Sequence, residues 1–179
     1  MIEDKILIWR FRRGSREALE RIYCKYEGLL VTVASTILGD LAGAEDVVHD
    51  VFVTLAQSPD KVGLDGSLQH FLAVCVANRA RDRLRAKRNV VSVDQIEFLM
   101  PEGQQPEVMA AQQEQLRLAW AGMAQLPEEQ REVVVLHLVA GLRFHQIAAT
   151  LGISINTAQS RYRYGMEKLR SLFDGEMRK

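Results

Sequence analysis

Apolar residues recur along this chain at intervals of three and four, a spacing that predicts helices almost throughout. Leu19, Ile22, Tyr23, Tyr26, Leu29, Leu30 and Val33 fall on one stripe of a helix, and Gly39 follows as a stop. A second helix is expected from about Leu41 to Ala56, with Val47, Val48, Val51, Phe52 and Leu55 inward. A loop over 58–66 ends at Ser67, a good N-cap for a third helix on which Leu68, Leu72, Val76, Ala80 and Leu84 recur every four residues. Further on, Pro127 with Glu128 and Glu129 makes a favourable helix start. Phe144, Ile147, Ala148 and Leu151 then face inward on a short helix, Gly152 supplies a tight turn, and Ser154 caps a last helix. That helix turns Ala158, Tyr162, Gly165, Met166 and Leu169 to one side. No strand-like alternation appears, so the expected fold class is all-α.

Punctuation divides the helices into two sets. The stretch from 89 to 114 has no basic residue, contains Asp94, Glu97, Glu102, Glu107 and Glu114, and carries Pro101, Gly103 and Pro106. That composition reads as an acidic, extended linker. Two small helical domains are therefore expected, over 1–88 and 115–179, joined by the linker 89–114, the second domain being a helix-turn-helix.

The net charge of zero conceals strong local imbalance. Residues 41–66 hold 1 basic and 5 acidic groups, a net −4, and residues 67–88 hold 6 and 1, a net +5. Residues 89–130 hold 1 and 7, a net −6, and residues 153–179 hold 6 and 3, a net +3. Blocks of this size imply surfaces that meet partners of opposite sign whatever the total. The longest apolar run, Val133 to Ala140, is broken by His137 and is too short for a membrane helix. The first residues lack a signal-peptide pattern, and Cys24 and Cys75 form neither a CxxC pair nor a metal cluster. A cytoplasmic protein with reduced thiols on apolar helix faces is expected, with no cofactor, no metal and no membrane insertion.

The outer face of the last helix presents Asn156, Thr157, Gln159, Ser160, Arg161, Arg163 and Tyr164. Short polar side chains near a helix N-terminus reach base edges in the major groove, and arginines meet phosphate or guanine. DNA binding follows; the kind of DNA-binding protein does not. Asp46 and Asp50 share an exposed face with Glu45 and His49, and nothing within that helix neutralises them. They lack a nucleophile, a phosphate loop or metal ligands beside them, so a docking surface for a basic partner fits better than catalysis, and no enzyme activity is expected. On the third helix Arg79, Arg83 and Lys87 lie along one stripe, while Arg81, Arg85 and Arg88 lie nearly opposite. One stripe can be satisfied internally while the other meets a polyanion, and Asp82 can bridge to a neighbouring arginine. On these residues a free-standing dimeric helix-turn-helix regulator remains open as an alternative.

Four segments together carry a more specific resemblance: ALERIYCKYEGLL (18–30), LGDLAGAEDVVHDVF (38–52), FLAVCVANRARDRLR (71–85) and LPEEQREVVVLHLVAGLRFHQIAATLGISINTAQSRYRYGMEKLR (126–170). In this order they resemble the bacterial sigma-70 family of RNA polymerase sigma factors, of the small extracytoplasmic-function (ECF) type. The resemblance implies that Glu45, Asp46, His49 and Asp50 dock on the clamp helices of the core polymerase β′ subunit. It implies that Asn78, Arg79, Arg81, Asp82, Arg83 and Arg85 serve the −10 element and its melting, and that the last helix reads the −35 element. Further implied partners are the β flap of the polymerase, promoter DNA and an anti-sigma factor. Leu68 and Phe71 stand where the family commonly has an aromatic residue and Trp.

Overall fold

The structure, a computed structural model, describes residues 2–62, 67–88 and 120–176. The linker expected over 89–114 lies outside the described residues. Among those described, every regular element is a helix: α1 (Ile2–Arg12), α2 (Arg16–Leu38), α3 (Leu41–Gln57), α4 (Leu68–Arg88), α5 (Glu128–Leu138), α6 (Phe144–Leu151) and α7 (Ile155–Glu176). A 3₁₀ turn spans Pro59–Lys61, and residues 120–124 are helical.

The expected stops and starts are present and hydrogen-bonded. Gly39 sits at φ 71°, and its N–H closes α2 on the Ser35 carbonyl at 2.8 Å. The Ser67 hydroxyl accepts the His70 N–H at 3.4 Å at the start of α4. Gly152 at φ 66° turns the chain between α6 and α7, and Ser154 Oγ accepts the Thr157 N–H at 3.0 Å. Pro127 lies one residue outside α5, as its N-cap.

α2 is the central helix, in contact with α1, α3, α4 and α5. Its fully buried Leu30, Val33 and Ala34 belong to one apolar cluster with Val47 and Val48 of α3, Leu72, Val76 and Ala80 of α4, and Val133, Val135 and Leu136 of α5. Each such Leu or Val contributes about 1.5–3 kcal/mol by leaving water. The first four helices and the last three therefore share one continuous core.

Three features depart from or extend the sequence reading. α1 has no single apolar stripe: Leu7, Ile8 and Phe11 are buried while Ile2, Ile6 and Trp9 are exposed. It is pinned to α2 by Lys25, whose ammonium lies 2.6 Å from Glu3 and 2.8 Å from Asp4, and by the Tyr26 hydroxyl, which donates to Asp4 at 3.0 Å. Burial, and that bond to a carboxylate, push the Tyr26 phenol up to about 12. Cys24, expected on an apolar face, is instead exposed; Cys75 is partly buried, and burial raises its thiol pKa. α5 and α7 cross closely at Gly165, where an added Cβ would stand 2.9 Å from Val134 Cγ2.

Candidate nucleic-acid interface

The helix-turn-helix is held by a small aromatic cluster that aims α7. His137 of α5 stacks on Phe144 with ring centroids 4.5 Å apart and meets Tyr162 edge-on at 4.8 Å. Its Nδ1 lies 2.8 Å from the Leu142 carbonyl. A carbonyl only accepts, so Nδ1 carries the proton. Gln146 Oε1 accepts the Arg143 N–H at 2.8 Å and so secures the first turn of α6.

On α7 the residues expected to face DNA divide into two groups. Asn156, Gln159, Arg163 and Tyr164 are exposed, with the Arg163 guanidinium 5.0 Å over the Tyr164 ring. Thr157 and Ser160 are half-buried, and their hydroxyls are engaged locally: Thr157 with Ser154 Oγ at 2.8 Å, Ser160 with the Asn156 carbonyl at 2.9 Å. Arg161 turns back towards α5, where it meets Glu129 at 2.6 Å with 23% of its side chain accessible.

The acidic face of α3 and the basic helix α4 lie side by side. Asp46 Oδ2 is 2.9 Å from Arg83, and Asp50 Oδ2 is 2.8 Å from Arg79. The two acids that lack a partner within their own helix thus find one on the next, and one stripe of α4 is satisfied internally. Glu45 and His49 are exposed beside them. Arg85 points to solvent with Asp82 3.9 Å away.

Arg81 behaves differently. It turns into the seam between α4 and the last three helices, with 17% of its side chain accessible. Its Nε lies 3.2 Å from Glu132 Oε1 of α5, an ion pair rather than an aligned hydrogen bond, and its Nη2 donates to the Thr150 carbonyl of α6 at 2.7 Å. Nη2 also contacts Asn78 Oδ1. Burial raises the Glu132 carboxyl to about 7 despite the attraction of Arg81, and burial lowers Arg131 next to it. Arg131 and Glu132 were not singled out from the sequence. Their signal was there: they directly precede Val133, so the helix that buries the valines carries them inward.

A further feature is an apolar groove of about 480 Å³ between α5 and α7, lined by Met123, Val134, Leu138, Val139, Met166 and Phe173. Leu138 on its rim is 55% exposed. Among the described residues no three His, Cys, Asp or Glu side chains converge as metal ligands, and no helix is long and apolar enough to cross a membrane.

Comparison with known proteins bears on the whole chain. Residues 22–90 match the family described as Sigma-70 region 2, and residues 116–169 match Sigma-70, region 4. The RNA polymerase sigma factor CarQ of Myxococcus xanthus is 30% identical over 174 residues, covering 94% of this chain and 95% of that protein. The ECF RNA polymerase sigma factor SigL of Mycobacterium tuberculosis is 33% identical over 156 residues, covering 85% and 86%. Among solved structures, CnrH in complex with the cytosolic domain of CnrY is similar in fold, with a TM-score of 0.67, 24% identity and coverage of 97% and 98%. The sigma factor RpoE in complex with the anti-sigma factor NepR from Bartonella quintana gives a TM-score of 0.67 at 20% identity, covering 87% and 96%.

Proposed function

The chain belongs to the ECF type of the sigma-70 family of RNA polymerase sigma factors, and from that premise we propose how its residues divide the work. A sigma factor directs core RNA polymerase to specific promoters and initiates transcription there; such proteins are generally non-catalytic, and this chain acts as a non-enzymatic subunit. The observation that carries the reading is the succession of a region 2 match and a region 4 match on one chain that spans nearly all of a sigma factor relative.

Residues 1–88 form the unit that docks on polymerase and serves the −10 element, residues 115–179 the unit that reads the −35 element, and 89–114 the acidic tether. Glu45, Asp46, His49 and Asp50 meet the basic clamp helices of β′. Asp46 and Asp50 already hold Arg83 and Arg79 as counter-ions, in exposed pairs worth about 0–1 kcal/mol each. A basic partner from the polymerase replaces those arginines at little cost and frees them for promoter phosphates, so docking and DNA contact support each other. Asn78, Arg81, Asp82 and Arg85 complete the −10 surface. In the major groove of the −35 element, Asn156, Gln159, Arg163 and Tyr164 supply the exposed contacts, and Thr157, Ser160 and Arg161 flank them. The groove of Leu138 and Met166 takes an apolar segment of the β flap. CnrH and RpoE are each held by a partner protein, and an anti-sigma factor is proposed for this chain as well, acting with it in the cytoplasm.

Size-exclusion chromatography with bacterial core RNA polymerase tests the docking assignment. The wild type co-elutes with polymerase, while Asp46→Arg with Asp50→Arg elutes alone and keeps its helical circular dichroism. Unchanged co-elution of the folded double variant refutes the role given to the α3 face.

A further inference from the structure

α1 is apolar on two sides, and only one of them is covered. Leu7, Ile8 and Phe11 enter the core, while Ile2, Ile6 and Trp9 are each more than half exposed. At about 100° per residue, Ile2, Ile6, Trp9 and Arg13 fall within an arc of about 60° on the outer face. Single exposed apolar residues are ordinary, but three large ones along one stripe form a patch. The Arg13 guanidinium lies 4.2 Å from the centre of the Trp9 ring. On the same helix Lys5 and Arg12 flank the stripe on one side and Arg10 on the other. From Lys5 to Arg16 the chain holds five basic residues, Lys5, Arg10, Arg12, Arg13 and Arg16, and no acid. The two acids of the first turn, Glu3 and Asp4, are taken up by Lys25 of α2 at 2.6 and 2.8 Å. Arg10 and Arg12 have exposed partners, Glu17 at 3.2 Å and Asp60 at 3.7 Å.

We propose that the outer face of α1 is a docking surface for an anionic phospholipid bilayer, on which the helix lies in the plane of the interface without crossing it. Each part of the face has its counterpart there. Ile2 and Ile6 reach the boundary of the acyl chains, the Trp9 indole sits at headgroup level, and the flanking cations meet lipid phosphate. Arginine and lysine beside the stripe extend their charged ends outwards while their stems cover apolar surface. Other occupants fit less of the face. A DNA duplex would take the cations but offers nothing to two isoleucines. A second copy would set five cations against five across a patch of three apolar side chains, where a stable interface takes roughly 20–30 residues a side. No residue assigned to the polymerase or the promoter lies on α1, so docking leaves those assignments intact and does not depend on them.

Sedimentation of the full chain with sucrose-loaded vesicles tests this surface. At about 0.1 M salt the wild type is expected to bind vesicles of equal parts phosphatidylglycerol and phosphatidylcholine at least about tenfold more tightly than pure phosphatidylcholine, and to leave them as salt rises. Ile6→Ser with Trp9→Ser removes the apolar stripe at exposed positions, and Arg12→Glu with Arg13→Glu reverses its charge. Each pair should cost at least about tenfold in affinity for the anionic vesicles while the melting temperature stays within about 3 °C of the wild type. In a Trp120→Phe background, Trp9 emission should shift to the blue on adding the anionic vesicles and be quenched by brominated acyl chains, a readout that leaves the stripe unaltered. Equal binding to both kinds of vesicle, a loss in the charge variant alone, or Trp9 emission that does not move overturns the proposal. So does a stripe variant that keeps its vesicle affinity but weakens holoenzyme on promoter duplex, which gives the face to nucleic acid. A stripe variant that keeps its vesicle affinity but abolishes a concentration-dependent dimer gives the face to a second copy and overturns the proposal equally.

Discussion

Glu132 lies with Arg131 at the base of the valine run of α5, and its protonation should be visible in the stability of the whole chain. An ordinary glutamate titrates near 4.5, and burial carries this one to about 7. Arg81 and Arg85 of α4 and Arg161 of α7 favour the ionised form, Glu128 of its own helix opposes it, and Arg131 lies beside it. With only 11% of the side chain accessible, solvent screens these effects little. At about 1.36 kcal/mol per pH unit, the difference between folded and unfolded chains is worth about 3 kcal/mol. The folded carboxyl holds its proton more tightly than the unfolded one. Its contribution is therefore present in full below about pH 4.5 and is lost as the pH rises to about 7. Glu132→Gln mimics the protonated form at every pH. Its advantage over the wild type should accordingly grow by about 2.5 kcal/mol between pH 5 and pH 8, because the other titrating groups cancel in the comparison. For a chain of this size that widens the gap in melting temperature by about 5–10 °C, read by differential scanning calorimetry at each pH. A gap that is constant across the range, or one that narrows as pH rises, refutes the reasoning. It would mean that the pair with Arg81 outweighs burial and that Glu132 is already ionised near pH 5.

The close crossing of α5 and α7 predicts that Gly165→Leu, which drives carbon into Val134, lowers stability by about 3 kcal/mol, measured by thermal melting. Leu138→Glu adds a charge to the rim of the apolar groove at an exposed position. It should leave the melting temperature within about 2 °C of the wild type and weaken capture by an isolated β flap fragment at least about tenfold. Arg163→Ala should reduce the slope of log K against log salt for holoenzyme on promoter duplex by about 1, whereas an unchanged slope removes Arg163 from the phosphate contacts.

Helices, their ends and the helix-turn-helix were legible in the sequence because the forces that set them are local. Gly39 and Gly152 are left-handed for want of a Cβ, and Ser67 and Ser154 reach N–H groups three residues on. The apolar stripe of α2 needed no more than its own spacing to be recognised. α1 escaped that logic because its apolar residues surround the helix, three buried and three exposed, so no period marks an inner face. Charge partners escaped it too. Asp46 meets Arg83 and Asp50 meets Arg79 because α3 and α4 pack side by side in one register, a relation between segments 37 and 29 residues apart. Arg81 reaches the carbonyl of Thr150 across 69 residues, and the packing of α7 on α5 turns Arg161 towards Glu129 and away from the outer face of α7. The exposure of Cys24 likewise depends on which side of α2 its neighbours cover. Periodicity decides which face of a helix is apolar, since that is a property of adjacent residues. Which charges neutralise one another, and which arginine of α4 is turned in against the last three helices, depends on helix crossing and register, and those are set only when the whole core closes.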